Sequence, residues 1–505
     1  MKIRHLFYTT LFLVFCIVNS LAQEPVTPDA SPEARALLKL LYDLSGKHTL
    51  SGQHNFPISG ARNSEFAAEY IGATPIVWSQ DFGFAADGDK DSYLARPEIV
   101  QEAIRQYKSG SIITLCWHAV PPTADEPITF QPLQNADSSA LASVQGKLLD
   151  EQFAEILTPG SALHKRWLAQ VDEIARFLKQ LQDAHVPVLW RPYHEMNGNW
   201  FWWGGRHEGA FTTKKLYQQI FDRLVKHHKL DNLIWMWSVD RPTEPGREFT
   251  RYFPGPEYLD ILSLHVYGSD FNQKYYEDLK ALSGGKPLAL GEVGVPPTLE
   301  ILADQPDWIL YVIWSGMTRL TPKEQYQHYL ESSQILFLED PTYAGLIEPL
   351  RQVAGLSSLT STRPVDFTGH WELVEAESQF SGGFGSGAAQ ALEIIQVDSL
   401  LAVKSATIVE WDDNVIRKHL INVDGAEYEV PAGFGQRFQR ASWNEDKSKI
   451  ILNNRSVFNF GGNPREFSGI EEWSLNGIRN RLYVRQTNQT FRGESKAVLV
   501  YGKVE

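Results

Sequence analysis

Eight short apolar runs recur between residues 48 and 314, and this rhythm constrains the fold more than any other feature. They are His48-Thr49-Leu50-Ser51-Gly52-Gln53, Pro75-Ile76-Val77-Trp78, Ile112-Ile113-Thr114-Leu115, Val186-Pro187-Val188-Leu189-Trp190, Leu233-Ile234-Trp235-Met236-Trp237, Leu259-Asp260-Ile261-Leu262-Ser263-Leu264, Pro287-Leu288-Ala289-Leu290 and Ile309-Leu310-Tyr311-Val312-Ile313-Trp314. The runs are near-continuous rather than alternating, as expected of strands covered on both faces of a parallel sheet. Helical patterns at 98–108, 162–184, 211–229 and 275–282 separate several of them. Alternating strand and helix with eight repeats predicts an α/β fold, a (β/α)8 TIM barrel. A doubly wound open sheet is the alternative, but no glycine-rich phosphate loop follows the first run. Ahead of the rhythm, Ser31-Pro32 followed by Leu37, Leu38, Leu41 and Gly46 reads as a capped helix.

The residues just after each run give the barrel a working face. The carboxyl ends carry Gln53-His54-Asn55, Ser79-Gln80-Asp81, Trp117-His118, His194-Glu195, Ser238-Val239-Asp240, His265-Val266-Tyr267, Glu292 and Trp314. In a barrel these ends meet on one face, where the active sites of this fold are built. A purely structural barrel has no need of eight polar or aromatic caps in one direction.

Residues 1–22 read as an export signal: Lys2 and Arg4 precede an apolar run over 6–18, and Ser20-Leu21-Ala22 resembles a cleavage site before Gln23. That run is shorter than the roughly 20 residues a membrane span needs. Bacterial-type export to the periplasm or medium is expected. Cleavage would remove Cys16 and leave Cys116 as the only thiol, which excludes an internal disulfide and a clustered-thiolate zinc site. A net charge of −14 argues against nucleic acid and anionic lipid as partners. No cofactor or metal is expected, and a monomer is. The barrel is assigned to 23–355 and a Ser/Thr-rich linker to 356–364. A separate all-β module is assigned to 365–505, where apolar residues alternate and Asp424-Gly425 and Asn476-Gly477 signal hairpins.

Glu195 and Glu292 fall at the ends of the fourth and seventh runs, which face each other across the mouth of a closed eight-stranded barrel. Two convergent carboxylates are what glycosidic hydrolysis requires: a proton donor to the leaving oxygen and a second group at the anomeric carbon. Sugar rings present apolar C–H faces, and Trp200-Phe201-Trp202-Trp203, with Trp314 and Trp117, offers aromatic surfaces. Three tryptophans within four residues cannot all face one core, so at least one is expected to face ligand.

The stretch Arg191-Pro192-Tyr193-His194-Glu195-Met196-Asn197-Gly198-Asn199-Trp200-Phe201-Trp202-Trp203-Gly204 resembles the signature of glycoside hydrolase family 26. Leu50-Ser51-Gly52-Gln53-His54-Asn55, Trp117-His118, His265-Val266-Tyr267 and Leu290-Gly291-Glu292-Val293-Gly294 are similar to its pattern, and the resemblance spans roughly residues 30 to 350. It implies a retaining endo-β-1,4-mannanase, with Glu195 as acid/base, Glu292 as nucleophile and β-mannan or a related β-glycan as substrate. His118, His194, Trp200, Tyr267 and Trp314 are implied to line the cleavage subsite, with Tyr267 on the nucleophile. Within the same family, β-1,3-1,4-glucanase, β-1,3-xylanase and exo-acting mannobiohydrolase activities stay open, as does a catalytically silent glycan-binding protein.

Arg191 either pairs with a catalytic carboxylate or ties neighbouring strands. Asp81 and Asp240 are mouth residues divided between substrate contact and loop hydrogen bonding. Two patterns imitate metal sites. Asp87-Gly88-Asp89-Lys90-Asp91 resembles a calcium loop but has Ser92 where the turn needs Gly. His227-His228 sits late in a helix, where basic residues suit the dipole. In the module, Gly369-His370-Trp371 is similar to the G-x-W signature of lipocalin-like barrels, with a β-sandwich carbohydrate-binding module as the competing reading.

Overall fold

The computed structural model describes residues 24–55, 60–83, 92–124, 148–359, 365–380, 388–407, 415–431, 435–444, 447–460, 463–475, 481–490 and 493–504. The export-signal segment, the calcium-loop imitation, Asn476-Gly477 and linker residues 360–364 lie outside the described residues. Two compact units part between Leu359 and Thr360.

In the first unit all eight runs form strands. They are β1 (in two segments, Thr49–Leu50 and Gly52–His54), β2 (Val77–Asp81), β3 (Ile112–Trp117), β4 (Val188–Pro192), β5 (Leu233–Asp240), β6 (Ile261–Val266), β7 (Leu288–Val293) and β8 (Trp308–Ile313). Every residue in them is buried, which explains the near-continuous apolar sequence. Each strand pairs in parallel with the next. The ring closes where Leu310 and Ile313 of β8 meet Leu50 and Gln53 of β1. Closure is what separates a barrel from the open doubly wound sheet.

Helices fill the expected intervals at Ser92–Ser109, Ala162–Asp183, Thr213–Phe221 and Gln273–Ser283. Before β1, Pro32–Leu44 is capped by Ser31, whose Oγ accepts from the amide of Ala34 at 3.2 Å. The helix after β4 passes into a wider π-type turn over Asp222–His227. Beyond it, His228 Nε2 lies 2.6 Å from Asp172 Oδ1, and Arg223 grips the same carboxylate through two 2.7 Å bonds. His228 is thus held by Asp172 beside Arg223, and His227 packs edge to face on the His228 ring. Among the described residues no helix is long and apolar enough to cross a membrane.

The second unit is one antiparallel meander of ten strands running from Gly369–Leu373 to Gly493–Val504. Its first and last strands pair, and the ring of pairings is interrupted between Val415–Asn422 and Glu427–Val430. This is a barrel-like sheet rather than two stacked sheets. Trp371 of the G-x-W tripeptide is fully buried and donates from Nε1 to the carbonyl of Phe367 at 3.1 Å. The inner face carries its own core around Phe367, Trp371, Leu401, Ile421, Ile450 and Leu482. Beside that core lies a cavity of about 650 Å³ lined by Val403, Leu452, Val484, Arg437 and Glu471 among others.

Candidate active site

Glu195 is set by a loop with little freedom. Just past β4, Tyr193 and Glu195 adopt φ of +51° and +53°, a region that side-chain-bearing residues rarely occupy and that surrounding contacts must enforce. Tyr193 is buried and its hydroxyl accepts from Trp167 Nε1 at 2.8 Å. The Glu195 amide donates to the Ser238 carbonyl of β5 at 2.9 Å. Asn197 bridges to the same strand, donating to the Asp240 carbonyl (2.6 Å) and accepting from its amide (2.8 Å). Gly198 is required by close approach, because a Cβ there would lie 2.2 Å from the Trp200 ring. The indole can therefore fold back and donate from Nε1 to Glu195 Oε2 at 2.7 Å.

Glu292 is aimed by a bulge in β7. Leu264 stands opposite Leu290, but His265 stands opposite Glu292, so Gly291 is the extra residue. Bulges re-aim side chains in this way. A Cβ on Gly291 would meet Ser263 Oγ at 2.4 Å and His265 Nε2 at 3.0 Å. Glu292 is buried; its Oε1 accepts from Arg191 Nη1 at 3.1 Å and its Oε2 from the Tyr267 hydroxyl at 2.9 Å.

His265 sits between the two carboxylates. Its Nδ1 is 2.8 Å from Glu195 Oε1 and 3.5 Å from Glu292 Oε2, while its Nε2 is 3.2 Å from Arg191 Nη1. Arginine only donates, so Nε2 is the acceptor and Nδ1 carries the proton that bonds Glu195. Burial pulls the imidazole down to about 4, in keeping with this neutral form. Burial also raises Glu195 above the usual carboxyl range, partly offset by the Trp200 hydrogen bond and by His118 and Arg191. The facing polar atoms of Glu195, His265 and Glu292 lie within 4.8 Å of one another. The guanidinium of Arg191 already supplies cationic charge to this cluster.

A second polar line approaches from β2 and β3. Asp81 binds His118 twice: Oδ1 accepts from the amide at 3.1 Å, and Oδ2 makes a short contact with Nδ1. His118 Nε2 is 3.1 Å from His194 Nε2, with the rings edge to face. Trp314 stacks on His54 at 4.1 Å and stands 6.1 Å from the His118 ring.

The structure thus gathers Glu195, Glu292, His118, His194, Trp200, Tyr267 and Trp314 at one end of the barrel. Of the aromatic run, Trp200 alone among the tryptophans is partly exposed. Trp202 and Trp203 are buried and donate to the carbonyls of Ala119 (2.7 Å) and His194 (2.8 Å), so they back the wall. Trp117 is fully buried as well, with its ring 6.0 Å from that of Tyr193. Arg191 takes the first of its two readings and pairs with Glu292. His265 is the site residue that motif reading left without a role, and Asp81 reads in sequence only as a mouth residue divided between substrate contact and loop hydrogen bonding. Both carry the signal of position at a strand's carboxyl end, and His265 also lies in a stretch similar to the family pattern.

Residues 26–332 match the profile of glycosyl hydrolase family 26. A Bacillus subtilis mannan endo-1,4-beta-mannosidase is 38% identical over 321 residues, 56% of this chain and 79% of that protein. One from Thermothelomyces thermophilus is 30% identical, covering 57% of this chain and 56% of that protein. With two Piromyces relatives covered over 44% and 48%, the chain spans about half the length of several curated relatives it matches. Among solved structures, GH26A from Muricauda sp. MAR_2010_75 is 38% identical with a TM-score of 0.56, covering 62% of this chain and 98% of that one. The Podospora anserina GH26-CBM35 beta-(1,4)-mannanase is 28% identical with a TM-score of 0.52, covering 65% and 69%. Profile, sequence and barrel agree: the chain belongs to glycosyl hydrolase family 26.

Proposed function

We propose that this chain is an exported, retaining endo-β-1,4-mannanase, with Glu195 as acid/base and Glu292 as nucleophile. Its catalytic domain spans 23–355 and its all-β module 365–505. The observation that carries the reading is the pair of buried carboxylates with facing oxygens within 4.8 Å. Retention calls for carboxyl groups about 5 Å apart, whereas inversion needs room for a water between them.

Their surroundings support different roles. Arg191 and Tyr267 both donate to Glu292, which holds the carboxylate in place for attack at C1. Glu195 is raised by burial, the direction that suits a proton donor to the leaving oxygen. In the first step Glu195 protonates the glycosidic oxygen, the C1–O bond breaks, and Glu292 bonds C1. In the second, ionised Glu195 takes a proton from water, water oxygen bonds C1, and Glu292 leaves. The Trp200 and His265 N–H groups both point at the Glu195 carboxylate, an arrangement that suits this base form. Export is supported by the pattern of residues 1–22 and by polymer substrates that lie outside cells.

Product analysis of the mature protein on mannan, lichenan and β-1,3-xylan tests the reading. Mixed oligomers from mannan, released first as the β-anomer, are expected. Mannobiose alone would mean exo action, products chiefly from lichenan or xylan another substrate, and no reducing ends a silent binding protein. Glu195→Ala and Glu292→Ala should each lower kcat by about 10³-fold or more with unchanged circular dichroism. Near-normal turnover in either overturns that assignment.

A further inference from the structure

Two buried carboxylates of the site each face one basic side chain: Glu292 faces Arg191, and Asp81 faces His118. Around it stand Asp81 from β2, His54 at the end of β1, Cys116 beside it on β3, Arg191 and His194 from β4 and its loop, Glu195, and Glu292 from β7. Arg191 Nη1 lies 3.1 Å from Glu292 Oε1, which leaves His118 as the basic group bonded to Asp81. His265 is neutral because its Nε2 accepts from Arg191, and burial holds His54 and His194 neutral and the Cys116 thiol protonated. A buried carboxylate with no cation beside it is strongly destabilised, and His118, bonded to Asp81, is placed to supply that charge. Burial works against its protonation, but Asp81, then Glu292 and Glu195, raise it above the ordinary imidazole range.

The hydrogen bonds follow from that charge. The carboxylate of Asp81 accepts at His118 Nδ1, so the second proton of His118 lies on Nε2 and points at His194 Nε2, 3.1 Å away. His194 must then accept at Nε2 and carry its own proton on Nδ1. That Nδ1 is buried and has no hydrogen-bond partner among the described residues. An unmatched buried donor is costly unless an acceptor arrives with a ligand.

We infer that Asp81 is a positioning residue acting through two rings. It keeps His118 doubly protonated, and His118 locks His194 as the Nδ1–H tautomer, offering a donor to a hydroxyl oxygen of the bound sugar. Loss of the His118 proton reverses the line. Nε2 of His118 becomes the acceptor, the His194 proton moves to Nε2, and Nδ1 of His194 becomes an acceptor in turn. The site therefore changes its hydrogen-bonding sense with pH without moving a heavy atom. The sugar as acceptor rests on the mannanase reading; the tautomer line does not.

Nitrogen-15 spectra of the full chain labelled at histidine, assigned with His118→Gln and His194→Gln, test the line directly. At pH 6, His118 should show two protonated nitrogens and His194 a proton on Nδ1 alone. As the pH rises and His118 titrates, His194 should change tautomer in the same step. In Asp81→Asn the switched state should already be present at pH 6. Hydrolysis by that variant should fall about tenfold or more at pH 7, and the alkaline limb of its kcat/KM profile should move at least one pH unit to the acid side. A singly protonated His118, or a His194 proton on Nε2, in the wild-type spectrum at pH 6 overturns the line, whether or not the variant folds. A folded Asp81→Asn protein that switches tautomer with an unmoved pH profile overturns the positioning role. The expected spectra with no hydrolysis of any glycan would sink the mannanase reading and leave the line standing.

Discussion

At the residue scale, two glutamates of one chemistry are made unlike by what donates to them. Glu292 receives a cationic guanidinium and a phenol, whereas Glu195 receives two neutral N–H groups in a buried setting. The Trp200 hydrogen bond works against the raising effect of burial on Glu195. Trp200→Phe removes the N–H and keeps an aromatic ring, so Glu195 should be raised further. A general acid is lost as pH rises through its own value, so the alkaline limb of kcat/KM should move to higher pH. One hydrogen bond of about 1 kcal/mol corresponds to roughly 0.7 pH unit. A pH–rate profile checks this once the His118 step is located by its nitrogen-15 titration, and a Glu195 step that stays or moves to the acid side shows that Trp200 does not tune Glu195. The two glutamates were legible in sequence because their motifs are long. The place of His265 between them was not, since it depends on β4, β6 and β7 meeting across the barrel.

Among the elements, two glycines decide where functional side chains lie. Gly291 lets β7 bulge so that Glu292 faces His265, and Gly198 leaves room for the Trp200 indole. Gly291→Ala would place a methyl group 2.4 Å from Ser263 Oγ and 3.0 Å from His265 Nε2. Both neighbours are buried, so the His265 ring or the strand must shift. Because misplacement of about 1 Å can cost two orders of magnitude, kcat should fall by about 10- to 100-fold. Circular dichroism should show the barrel retained. Wild-type kcat in this variant would show that the bulge does not set the geometry. A Gly-Glu-Val-Gly sequence reads as a strand end; which glycine bulges is fixed by the register of β6 beside it.

For the whole molecule, the two units have separate hydrophobic cores with no shared residue. Each buries its own apolar surface, the condition for independent folding. A chain ending at Leu359 should therefore fold and cleave soluble manno-oligosaccharides within about twofold of the full-length rate. Loss of more than about tenfold, measured on purified protein with matched substrate, would show that the module completes the site. Sequence alone determined the alternation of buried strands and helices, the polar working face, the change of texture into the module, and the two glutamates. These are local matters of periodicity and motif, carried by neighbours in the chain. Tertiary structure decided the rest: closure of β8 on β1, the pairing of Arg191 with Glu292, the bridging role of His265 and the Asp81–His118–His194 line. Each depends on distances between residues 37 to 260 positions apart, and such distances exist only once the ring of strands has closed.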